Sequence, residues 1–155
     1  MHIEIPGYTT YDLKYLLLDY NGTIALDGQM KESVKELIRE VSKYLEVYIL
    51  TADTHGTAAA ECEGLPVTLK TFPTATAMDS KLEILNQLGA DSCCTFGNGR
   101  NDLLMCRESA LSVSVIGEEG CYSKLITQTN ITVKNIEDGF ELLLKPKRLT
   151  ATLRG

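Results

Sequence analysis

The chain reads as an α/β protein, an open and mainly parallel sheet in three layers with helices on both faces. Three observations predict this. Short runs that are apolar almost throughout recur along the chain, as strands buried on both faces require. Segments with helical spacing of apolar residues separate those runs, and the alternation of the two patterns is that of a sheet wound with helices. Carboxylates, threonines and glycines stand directly after several of the runs, where ligands collect in such sheets.

Taken in order, "HIEIPGYTTYDL" within residues 1–13 is expected to form an edge hairpin, and "KYLLLD" (14–19) the first buried strand. Val34, Leu37, Ile38, Val41 and Leu45 keep to one face of a helix over 31–44. "LEVYILT" (45–51) and "LPVTLKTF" (65–72) read as strands around a short helix at 55–62. Leu82, Leu85 and Leu88 mark a helix over 80–88, followed by the strand "CCTFG" (93–97) and a helix at 101–109. "LSVSVIG" (111–117) is a further strand, 120–127 a further helix, and a last helix at 135–144 is bounded by Pro146. The basic ending "KPKRLTATLR" is expected to be a solvated tail, so that 135–155 comprises a C-terminal helix and tail.

A length of 155 residues suits one domain, 1–155, with a sizeable core. The apolar fraction of 44% contains no run long enough to span a bilayer, and the first residues lack the layout of a secretory signal, so a cytoplasmic address and no membrane partner are expected. A net charge of −6 without a basic stripe disfavours nucleic acid. The five cysteines, with no C-x-x-C pair, read as free and mostly buried thiols. In this context Asn21-Gly22-Thr23 and Asn130-Ile131-Thr132 are poor candidates for glycosylation.

The chemistry-bearing stretches follow the strands. Asp19, Tyr20, Asn21, Gly22 and Thr23 come after the first; Thr51, Ala52 and Asp53 after the second; and Gly97-Asn98-Gly99-Arg100-Asn101-Asp102 after the fourth. Glycine turns opening into helices present free N–H groups, which favour a phosphate. Lys81 in "DSKLEILNQL" is placed in the first turn of a helix, where the macrodipole disfavours a cation and an anion nearby would explain it. Lys70 is the rival lysine. His55 and Asp53 stand close enough to Thr51 to line a rim, with capping or exposure the favoured reading for His55.

An apolar strand ending in D-x-N-G-T, a strand ending in Thr, a helical Lys and G-N-G-x-N-D, in that order, resemble the haloacid dehalogenase superfamily. The resemblance covers most of the chain and is strongest to the small proteins that are similar to the phosphorylation domain of P-type ATPases. It implies a Rossmann-like core and a phosphohydrolase or phosphotransferase acting on a phosphorylated small molecule or phosphoprotein. Asp19 would be the nucleophile that forms an aspartyl-phosphate, with Thr51, Lys81, Gly22, Ala52 and Asn101 holding the phosphoryl group. Mg²⁺ would be bound by Asp19 and Asp102, by Asn21 through its backbone carbonyl, and by Asn98.

Two departures qualify what the resemblance implies. Asn21 stands where phosphatases of this superfamily usually carry an acid, and an amide cannot shuttle a proton, a role worth about 10²- to 10⁴-fold. Asn98 replaces another aspartate, so weakened magnesium binding is expected. A non-catalytic module that binds phosphate or a partner is the alternative. Only about 27 residues separate Thr23 from Thr51, and about 29 separate Thr51 from Lys81. Neither gap holds a cap domain or a nucleotide-binding insert. The result is an open site, covered by a large substrate or by homo-oligomerisation, beside a mobile flap at "TIALDG".

Overall fold

In the computed structural model, which describes residues 1–155, the chain opens with a hairpin of β1 (His2–Ile5) and β2 (Thr9–Asp12). The hairpin is a separate two-stranded sheet, not an edge of the main one. Its inward residues Ile3, Ile5 and Tyr11 belong to the larger core cluster instead.

The main sheet is built from β3 (Tyr15–Asp19), β4 (Glu46–Thr51), β5 (Val67–Thr71), β6 (Cys93–Gly97), β7 (Leu111–Val115) and β8 (Ile131–Val133). Its order is β5-β4-β3-β6-β7-β8, with every pair parallel. The chain winds outward from β3 to β5, returns to the centre at β6, and then winds the other way. The reversal leaves a crevice between the carboxyl ends of β3 and β6, the position at which such sheets bind ligands.

Alternation along β3 divides its side chains between two layers. Leu16 and Leu18 enter the larger core together with Val34 and Ile38 of α1 (Glu32–Val41) and Phe140 and Leu143 of α6 (Ile136–Leu144). Leu17 faces the smaller cluster, where Leu85 of α3 (Ala77–Leu88), Met105 and Cys106 of α4 (Leu103–Glu108) and Leu125 of α5 (Ser123–Ile126) cover the other side. Cys62, just beyond α2 (Ala58–Glu61), is buried, as are Cys93, Cys94 and Cys106; all five thiols are free.

Three features differ from the sequence reading. β8 follows a polar stretch and is only three residues long. The basic ending is no solvated tail: Pro146 occupies the first turn of α7 (Pro146–Leu153), and Leu149 is fully buried in the larger core. Proline at that position ends one helix and starts the next because its missing N–H has no intrahelical partner there. The "TIALDG" segment is tied down, not free as a flap. Ile24 and Ala25 are buried, Tyr20 donates its hydroxyl to the Gly28 carbonyl at 2.9 Å, and Thr57 donates to the same oxygen at 2.6 Å.

Asn130 closes the β7–β8 edge, its side-chain oxygen accepting from the N–H (2.8 Å) and hydroxyl (3.0 Å) of Ser112. No helix is long and apolar enough to cross a membrane.

Leu149→Ala tests whether the last helix is part of the core. A loss of about 2–5 kcal/mol in urea-monitored stability is expected for a buried leucine, against almost none for a residue of a solvated tail.

Candidate functional site

Asp19 ends β3 beside the crevice, and its carboxylate is nearly buried, with 5% exposure. One oxygen, Oδ1, accepts from Lys81 Nζ at 2.6 Å; the other accepts from the Thr23 hydroxyl at 2.8 Å. Lys81 Nζ also donates to Asp102 Oδ1 at 2.6 Å. Lys81 and Asp102 are both 0% exposed. The second Asp102 oxygen accepts the backbone N–H groups of Asn98 (3.0 Å) and Gly99 (2.9 Å), which folds the turn after β6 around it.

The anion expected near Lys81 is present as two carboxylates, and they, not the helix dipole, account for a charged lysine in this buried place. Helix α3 begins at Ala77, so Lys81 lies beyond its first turn, and the long side chain passes under the site between two carboxylates. Lys70 is exposed on the edge strand β5, far from this arrangement in the sheet order.

Two carboxylates share one ammonium here, so the buried group carries a net −1. Desolvation and the like charge of Asp102 push the Asp19 carboxyl up to about 6, outweighing Lys81 and Thr23, which act the other way. Lys81 is held well above its ordinary value by the same two carboxylates, despite its burial.

Above this group opens a cleft of about 610 Å³. Asp19, Asn21, Thr51, Ala52, Asn98 and Asn101 all line it. Lys81 and Asp102 act from beneath and do not. Gly22 lies to one side, lining a second cavity of about 300 Å³ behind the 22–31 segment. The Thr51 hydroxyl accepts the Asp53 N–H at 2.8 Å. Asp53 itself turns away to cap the next helix, accepting from the N–H groups of Thr57 and Ala58, and His55 is exposed. Thr54, Arg100 and Glu119 also line the cleft, though sequence patterning does not single them out. Arg100 is visible inside the glycine turn; Glu119 sits in an irregular loop with no periodicity to mark it.

The donor set suits a magnesium ion. No three His, Cys, Asp or Glu side chains converge on one point, but magnesium uses one or two carboxylates and completes its octahedron with neutral oxygens, waters and phosphate. Asn21 Oδ1 is buried without a hydrogen-bond partner. Asn98 Oδ1 lies 3.2 Å from the Thr23 hydroxyl, whose one proton has the closer, charged Asp19 oxygen to serve. Two neutral acceptors thus lack a donor beside a carboxylate, an arrangement a cation would satisfy.

No protein-family model matches the chain. It is 42% identical over 79 residues to an uncharacterized protein of Methanocaldococcus jannaschii, covering 48% of this chain and 85% of that one. A second uncharacterized protein of that organism is 56% identical over 39 residues, 25% of this chain and 89% of its own length. Among solved structures, 3-deoxy-D-manno-octulosonate 8-phosphate phosphatase of Moraxella catarrhalis, in complex with magnesium, phosphate and KDO, superposes with a TM-score of 0.73 at 15% identity, covering 92% of this chain and 94% of that one. The cobalt-bound Haemophilus influenzae phosphatase for the same ester gives 0.73 at 11% identity, covering 93% and 94%. A Legionella pneumophila protein assigned to subfamily III A of the haloacid dehalogenase superfamily gives 0.73 at 14%, covering 90% and 86%.

Two variants test the buried charges. The Asp19 carboxyl is raised from 3.8 to about 6, so the folded state holds its proton more tightly than the unfolded one. Stability should fall as pH rises through roughly 4 to 6 and stay lower above that window. An uncharged amide at this position can still accept from Lys81 through its oxygen and, with the Thr23 bond reversed, donate its NH₂ to the Thr23 hydroxyl, so Asp19→Asn should raise Tm of the metal-free protein at pH 7.5 and leave it nearly unchanged at pH 4. Lys81→Met strands two carboxylates in the interior and should cost about 3–5 kcal/mol.

Proposed function

We propose that this chain, which has the capless α/β fold of the haloacid dehalogenase superfamily and belongs with the two archaeal relatives, is a magnesium-dependent phosphohydrolase or phosphotransferase. Residues 1–155 act as one catalytic domain. The observation that carries this reading is Asp19: a carboxylate at a strand end, facing a polar cleft and backed by a buried lysine that has a second carboxylate to hold it. The phosphatase structures of the same fold, with magnesium, cobalt and phosphate in their crystals, support it.

In the first step an Asp19 oxygen attacks phosphorus. The Asp19 O–P bond forms as the bond to the leaving oxygen breaks, and the product is an aspartyl-phosphate. Lys81 keeps the nucleophile in one orientation through its 2.6 Å contact, and Thr23 fixes the other oxygen. With its carboxyl titrating near 6, Asp19 is mostly ionised at neutral pH, as a nucleophile must be. Thr51, Ala52 and Asn101 line the space the phosphoryl oxygens would fill, and Arg100 adds a positive charge at the same wall. Water then attacks phosphorus and releases phosphate, regenerating the Asp19 carboxylate.

Magnesium, when bound, would neutralise charge between the carboxylate and the phosphoryl oxygens. Asp19, Asn21 and Asn98 are the residues placed to hold it. Both Asp102 oxygens are engaged by Lys81 and the backbone, so this residue would act on the ion through its charge and through the turn it shapes.

Asn21 cannot protonate a leaving group or take a proton from water. The reaction should therefore suit acyl phosphates and anhydrides, whose leaving groups need little protonation, and the aspartyl-phosphate should discharge slowly. The similarity of the motifs to the phosphorylation domain of P-type ATPases points the same way. Since no inserted domain covers the cleft, a phosphoprotein, a phosphorylated small molecule or a second copy of the chain would complete its wall.

Phosphate release from acetyl phosphate, para-nitrophenyl phosphate and a sugar phosphate, with and without Mg²⁺, tests the proposal. Acetyl phosphate should turn over fastest, only with Mg²⁺, and Asp19→Asn should abolish release. Thr51→Ala should lower kcat/KM on the order of 10- to 100-fold, the loss of one oriented hydrogen bond to a charged group. Absence of release from every substrate would favour the non-catalytic binding role that the neutral Asn21 allows.

A further inference from the structure

The buried group under the cleft has a net charge of −1, and the two amides beside it add no charge that would hold a divalent cation in the absence of phosphate. Asn21 and Asn98 are neutral, and Asp102 is fully buried beneath the cleft without lining it, its oxygens held by Lys81 and the backbone. A further carboxylate on the cleft wall would strengthen the hold on such an ion before any phosphate arrives.

The loop after β7 carries one. Glu119 lines the cleft together with Asp19, Asn21 and Asn98. Its Oε2 lies only 2.7 Å from where a Cβ on Gly22 would stand, and the Asn98 Nδ2 only 2.3 Å from the same point. Gly22 also has φ of +80°, so the position is closed to a side chain on two grounds, and the carboxylate approaches the backbone of the Asn21-Gly22 turn directly. Glu119 forms no ion pair or hydrogen bond, whereas its neighbour Glu118 is turned toward Lys31 at 3.5 Å.

The loop is also held in register with the site. Asn98 donates its side-chain Nδ2 to the Gly120 carbonyl at 3.3 Å and accepts the Tyr122 N–H on its own carbonyl at 2.8 Å. Gly117 N–H bonds the Lys134 carbonyl at 3.2 Å on the far side. An aspartate at position 98 would set a carboxylate oxygen against the Gly120 carbonyl in place of that donor. The amide at 98 thus trades a charge of its own for a tether on the loop that bears Glu119.

The other acid on the wall, Asp79, is exposed on α3 and shares a surface hollow with Leu82, Glu83 and Asn86. It belongs to the surface of that helix.

We propose that Glu119 is a metal-ligating residue, the second carboxylate of a divalent-cation site whose other protein oxygens come from Asp19, Asn21 and Asn98. The inference rests on the magnesium-dependent reading above. It assigns to this chain a carboxylate from the loop after β7, while the loop after β6 supplies an amide oxygen and the tether.

Isothermal titration of the metal-free full chain with MgCl₂ and with MnCl₂ tests it directly, with no substrate present. Glu119→Gln should weaken both ions by at least about tenfold, since even outer-shell changes at metal sites cost that much, while Glu118→Gln should bind as wild type does. Glu119 is exposed, so its variant should keep the wild-type circular dichroism and Tm. Equal affinity in wild type and Glu119→Gln, or equal weakening by both glutamate variants, would overturn the assignment and leave the magnesium reading standing. A wild-type chain that binds neither ion would overturn both.

Discussion

A single ammonium group between two buried carboxylates organises this molecule. Lys81 comes from α3, Asp19 from the end of β3 and Asp102 from the turn after β6, so the ion triad ties a covering helix to both sides of the central crevice. Such a group is a poor source of stability, because desolvating three charges offsets most of their attraction, and one carboxylate charge is left over. Its geometric consequence is larger. Lys81 Nζ holds an oxygen of each carboxylate at 2.6 Å, so Asp19 is fixed at the place where the sheet reverses its winding. The backbone of the Asn98-Gly99 turn is fixed with it, through the second oxygen of Asp102.

The surroundings of the triad follow from that constraint. With Asp19 immobile, the chain after β3 must leave at once. It does so through a glycine with φ of +80° and a segment whose carbonyl at Gly28 accepts hydroxyl protons from Tyr20 and Thr57. The same segment separates the cleft over Asp19 from the smaller cavity lined by Ile24, Val34, Val115 and Ile136. A free flap would blur that division. Pinned as it is, it keeps the Asn21 amide on the cleft wall with Asp19 and gives the Glu119 loop a surface to rest against.

The sheet and the three members of the ion triad, though not their pairing, are legible in the sequence because burial on both faces makes a strand apolar throughout, and because chemistry placed at strand ends stands next to those runs. Leu16 to Leu18 announce β3, and Asp19 follows immediately. Where elements are short or lack a two-sided core the signal fades. β8 has only Ile131 and Val133 to mark it, and α7 has just two large apolar residues, Leu149 and Leu153, so its basic start masks a helix anchored by one fully buried side chain. The start of α3 escapes sequence reasoning because Thr74–Thr76 form a tight turn that runs straight into the helix without a capping side chain. Glu119 is invisible for a different reason. Its place in the site depends on a loop held by Asn98 across 22 residues of sequence, and no local pattern encodes such a tether.

The two asparagines at positions 21 and 98 can be understood together. A carboxylate at either position would add charge to a pocket that already carries one excess negative charge and must admit a phosphate bearing up to two more. Amides lower that repulsion, at the cost of the proton transfer an acid at position 21 would perform. For a substrate that leaves as an acid of low pKa the lost proton transfer matters little, while the relief of repulsion applies in full. A leaving group such as a sugar hydroxyl reverses the balance. The neutral pair therefore does more than weaken a general phosphatase. It moves the proposed chemistry toward activated phosphoryl donors, and because water must attack the resulting aspartyl-phosphate without help from position 21, it lengthens the life of that intermediate within an open cleft.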